Sequence, residues 1–69
     1  MIILSTKNSV YYINEKTKEM SGGKLPSNKS FVLKAIPPIM LDERNNLEFT
    51  NGMVISTVVK SVNTVGHLA

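Results

Sequence analysis

Lysine and serine stand side by side at the end of GKLPSNKS (residues 23–30), one residue short of the phosphate-loop pattern G-x-x-x-x-G-K-[ST]. In that pattern the lysine and hydroxyl meet phosphate and magnesium, and glycines let the backbone approach the phosphates. Lys29 and Ser30 occupy the right places, but Asn28 stands where the second glycine belongs. The pattern also requires a helix whose first amides point at the phosphates. Residues 31–36 (FVLKAI) are instead strand formers, closed by Pro37 and Pro38. The stretch therefore reads as a loop, and no cofactor is expected. Asn28-Lys29-Ser30 also matches a glycosylation acceptor, which without a secretory signal is read as chance.

The other reactive side chains are no better placed. His67 is the single histidine and lies in a C-terminal stretch expected to fray. A general base must be held within hydrogen-bond reach of the proton it moves. Asp42 and Glu43 are neighbours, and on a strand neighbours face opposite ways. Ser5, Ser9, Ser56 and Ser61 have no histidine to activate them. There is no cysteine, so thiolate metal sites and disulfides are both excluded. One histidine and five carboxylates make a zinc site a poor fit. The expectation is a non-enzymatic chain without catalytic, cofactor or metal residues.

Two surfaces are left as candidates. Lys16, Lys18, Lys24, Lys29 and Lys34 all fall between positions 16 and 34. If they project from one loop lobe, they offer a positive surface to phosphates or to an acidic protein. The alternative use of such lysines is solubility and protection of strand edges. Only one basic residue, Arg44, is an arginine, so bidentate reading of base edges is poorly supplied. The second surface is Ile3, Val10 and Tyr12, apolar residues that alternate with those assigned to the core. Of the four aromatic residues, Tyr11, Phe31 and Phe49 are assigned inward, which leaves Tyr12 free. A single-strand nucleic-acid binder needs several exposed rings. Protein contact is therefore the leading reading, and nucleic-acid binding the alternative.

These residues must be positioned by strands. Residues 2–6 and 9–14 are rich in Ile, Val, Tyr and Thr around Lys7 and Asn8, and read as a hairpin with Asn8 supplying a left-handed turn residue. That turn pairs Ile2 with Ile13, Leu4 with Tyr11 and Thr6 with Ser9. A turn over the polar NEKTK leads to a third strand near residues 18–22, followed by a mobile loop over residues 21–30. A strand at residues 31–36 places Phe31, Leu33 and Ala35 on one face. Residues 39–46 form a connection with room for one helical turn at residues 41–44. Asn51 and Gly52 between two apolar runs are the strongest hairpin signal. A two-residue turn there sets Phe49 opposite Val54 and Leu47 opposite Ser56.

The fold class expected is all-β, a five- to six-stranded antiparallel barrel of SH3-like or OB-like kind, or a compact sandwich. Residues 1–63 form one domain and residues 64–69 a frayed tail. No apolar run approaches the ~20 residues of a membrane span, and residues 1–4 are too short for a signal peptide. The expected location is the cytoplasm. A net charge of +3 over 69 residues permits an acidic partner without requiring one. Small cores supply only ~3–5 kcal/mol, which favours self-association or service as an accessory subunit. The compact size suits a protein of a phage or mobile element. Membrane and small-molecule partners are not expected.

ILSTKNSV (residues 3–10) and VISTVVKSV (residues 54–62) echo one another. The likeness does not extend beyond these segments, so it reflects shared strand grammar rather than duplication. If the two lie as adjacent strands, the N- and C-terminal ends of the domain meet.

Overall fold

β-branched and aromatic residues fit a pleated, half-buried surface, and their spacing in this chain is too short for anything but brief strands. The computed structural model describes residues 1–65 and contains seven. They are β1 (Ile2–Ser5), β2 (Val10–Ile13), β3 (Glu19–Gly22), β4 (Phe31–Val32), β5 (Arg44–Glu48), β6 (Val54–Val58) and β7 (Ser61–Thr64). The architecture is all-β: an antiparallel five-stranded sheet in the order β4-β3-β2-β1-β7, and the β5–β6 hairpin as a second sheet. A single bridge between Leu33 and Phe49 joins the two. No helix occurs among the described residues, so the helical turn expected at residues 41–44 is replaced by a non-helical turn at residues 41–42; β5 already begins at Arg44.

The first hairpin has the expected register, with Ile2 opposite Ile13 and Leu4 opposite Tyr11. Its turn is built differently. Neither Lys7 nor Asn8 has a positive φ. The Thr6 side chain closes the turn instead, accepting from the Ser9 amide at 2.9 Å and donating to the Ser9 carbonyl at 3.1 Å. The β2–β3 turn carries its left-handed residue at Lys18, φ 62°. Asn14 organises it by accepting from the Lys16 and Thr17 amides through its side chain.

The strand expected over residues 31–36 ends after two residues. Phe31 and Leu33 are buried, but Ala35 is exposed and shares no face with them. Lys34 has already turned to β5, donating its amide to the Glu48 carbonyl at 2.9 Å. The second hairpin also departs from expectation by one residue. Leu47 pairs with Ile55 and Glu48 with Val54, and the Phe49 amide donates to the Met53 carbonyl at 2.9 Å. The loop is therefore three residues, Thr50, Asn51 and Gly52, with Gly52 left-handed at φ 89°. This is the turn-plus-bulge form of hairpin. It keeps Leu47 and Phe49 on the buried side.

The core lies between the inner face of the large sheet and the β5–β6 hairpin. Leu4, Ile13, Met20, Leu33, Leu47, Phe49 and Val59 are its fully buried side chains. Phe31 meets Phe49 edge-to-face, with centroids 5.8 Å apart and planes at 74°, a geometry favoured by the ring quadrupoles. That pair ties the two sheets together. Val59, buried between β6 and β7, marks the bend where the chain leaves one sheet for the other. β7 then runs back along β1, with Ser61 opposite Ser5 and Thr64 opposite Ile2. The end of the VISTVVKSV segment thus lies against ILST, and the two ends of the domain meet. Residues 66–69, including His67, fall outside the described residues.

Candidate interaction surface

Alternation along β1 and β2 sends Leu4, Tyr11 and Ile13 inward and leaves Ile3, Val10 and Tyr12 on the opposite face. Ile3 and Tyr12 are direct cross-strand partners, and Val10 lies two pairs along, opposite Ser5. The structure therefore brings the three candidate apolar residues together. Val10 is 39% exposed and Tyr12 40%, while Ile3 is half-buried. Ser21 faces Tyr12 from β3, and Asn63 faces Ile3 from β7. The rest of this outer face is Ser5, Ser61, Glu19 and Val32. Of its nine side chains only Glu19 is charged.

The five lysines do not share one place. Lys16 and Lys18 sit in the β2–β3 turn, at the end of the sheet where Met1 lies, and Lys34 follows β4 at that same end. There the Lys18 carbonyl accepts from the Leu33 amide at 2.8 Å. Lys24 and Lys29 belong to the β3–β4 loop, which leaves from the opposite end. All five are exposed. The phosphate-loop likeness has no helix at Lys29, and the stretch is a loop between β3 and the short β4.

That loop is anchored rather than loose at its start. Gly22 and Gly23 both have positive φ. The Leu25 amide donates to the Gly22 carbonyl at 3.0 Å, and Leu25 packs on the core. A Cβ on Gly23 would overlap the ring of Tyr11. The Tyr11 hydroxyl, for its part, accepts from the Lys24 amide at 3.5 Å. The loop thus lies directly over the Tyr11 ring and carries Lys24 to the mouth of a cleft.

The cleft, about 260 Å³, separates the β1–β2 turn from β6. Lys7, Tyr11 and Lys24 line one side, and Ile55, Ser56, Thr57 and Val58 the other. Sequence reading missed it, because it arises where β6 lacks a second strand partner among the described residues. Asn45 was also missed. It is the single buried polar side chain among the described residues. Its side-chain amide accepts from the Met40 amide at 2.9 Å and donates to the carbonyls of Met40 and Glu43. A buried amide so satisfied staples the connection ahead of β5. Among the described residues no group of His, Cys, Asp or Glu could hold a metal. No helix there is long and apolar enough to cross a membrane. Asp42 pairs with Lys60 at 2.9 Å on the surface, away from Glu43's backbone bond to Asn45. Compared with protein-family models, curated proteins and solved structures, the chain matches none.

Proposed function

We propose that this chain is a non-enzymatic binding module, a small β-barrel left open beside β6, that works by protein–protein contact through its outer β1–β2 face. The observation that carries the reading is the near absence of charge on that face around Ile3, Val10 and Tyr12. The surface of a small soluble domain ordinarily carries about 25–35% charged residues, whereas interface centres are depleted of charge and enriched in Tyr. The occupant we favour is a second copy of the chain, since a core of this size gains most from association. Strand spacing and rise give the face about 19 by 14 Å. That is well below the ~800 Å² per partner of a standard interface, so the self-contact is weak and concentration-dependent. Service as an accessory subunit uses the same face with another protein in place of the copy.

Nucleic-acid binding is less well supported. The lysines are divided between two ends of the sheet, and Tyr12, 40% exposed, is the one exposed ring among the described residues. Size-exclusion chromatography with light scattering, run from micromolar to millimolar chain, tests the proposal. Mass rising with concentration in the wild type, and held at the monomer in Tyr12→Ala, is the expected result. A strict monomer throughout the range, or a Tyr12→Ala variant that associates like the wild type, would overturn it.

A further inference from the structure

We propose that the free edge of β6 accepts an extended peptide segment bearing acidic side chains, by strand addition. Antiparallel pairs alternate between hydrogen-bonded and open. The bond from the Phe49 amide to Met53 places the pairs Leu47–Ile55 and Asn45–Thr57 in the bonded class. Val54, Ser56 and Val58 therefore turn their N–H and C=O groups away from β5. None of these groups has another backbone partner among the described residues.

Sheet edges are normally blunted by charge, proline, bulges or brevity. β4 is only two residues long, and β7 is largely polar, SVNT. β6 is five residues long, VISTV, with no charge and no proline. It is the unguarded edge of the fold, and the cleft holds space open beside it. Strand addition draws affinity from such main-chain groups and selectivity from the side chains around them. Here those side chains include Lys7 and Lys24 and no carboxylate. Neither lysine has an ion-pair partner among the described residues. An acidic strand meets both requirements, whereas a second copy of the chain would bring two more lysines to the cleft.

The test is a display library of random eight-residue peptides selected on the immobilised full chain, with enriched peptides synthesised and titrated into ¹⁵N-labelled protein. The expected outcome is enrichment of β-branched residues together with Asp or Glu. The Ser56 and Val58 amides should shift and exchange at least tenfold more slowly. Combining Lys7→Glu with Lys24→Glu should weaken binding at least tenfold, while Tyr12→Ala leaves it unchanged. Methylating alternate peptide amides should abolish it. No enrichment, enrichment of basic peptides, shifts confined to residues outside β6, or indifference to the lysine reversals would each overturn the proposal. So would β6 shifts on dilution of the protein alone, which would assign the edge to a second copy. An oligothymidine that shifts Lys7 and Lys24 when no peptide does would assign the cleft to phosphate. Apart from β6 shifts on dilution, which would also count against the outer-face contact, none of these failures bears on the outer face, whose residues report separately.

Discussion

Gly23 and Gly52 both hold positive φ, yet their surroundings differ completely. A side chain at Gly23 meets the Tyr11 ring, while at Gly52 nothing lies within 4 Å. Gly52→Ala therefore suffers only the left-handed backbone cost, about 1 kcal/mol. Gly23→Ala adds overpacking against a buried ring, and a total of about 2–4 kcal/mol is expected. Urea unfolding of the two variants checks that ordering. Lys18 is the converse case, a non-glycine at φ 62° in an exposed turn. Lys18→Gly should stabilise by up to about 1 kcal/mol, less the added flexibility of the unfolded chain. Asn45→Ala removes three hydrogen bonds and leaves the Met40 backbone groups unmet. A loss of about 2–3 kcal/mol is expected, read from the same unfolding curves.

At the scale of elements, the first hairpin was legible because the alternation of Ile2, Leu4, Tyr11 and Ile13 allows only one register with an apolar face. The second was legible in kind but not in register. Asn51-Gly52 signals a two-residue and a three-residue loop equally well, and the choice falls to burial. A two-residue loop pairs Phe49 with exposed Val54, whereas the observed one pairs it with Met53, packed on the core. The observed register predicts a close Hα–Hα contact between Asn46 and Ser56, an open pair in nuclear Overhauser spectra. The alternative would place Ser56 opposite Leu47. The apolar face of Ile3, Val10 and Tyr12 was legible for the same reason as the hairpin beneath it. The β6 cleft was not, because an edge is defined by which strands fail to meet, and that depends on the bend at Val59. Asn45 carried no local signal either; an asparagine inside a strand becomes informative only once the connection packs over it.

For the whole molecule, the Phe31–Phe49 contact sits in the shared core of two sheets whose backbones are paired at a single bridge. Phe49→Ala should cost about 3–5 kcal/mol, which equals the entire ~3–5 kcal/mol expected of a core this small. Loss of the cooperative thermal transition is the expected result. The same small margin makes association visible in stability, since binding the native state raises the melting temperature with concentration. The most direct measurement is a dilution series of ¹H–¹⁵N spectra on the full chain. Concentration-dependent shifts are expected at Ile3, Val10, Tyr12, Ser21 and Asn63, with the amides of β5 and β6 still. Spectra that do not change from micromolar to millimolar chain, or that change elsewhere, would contradict it.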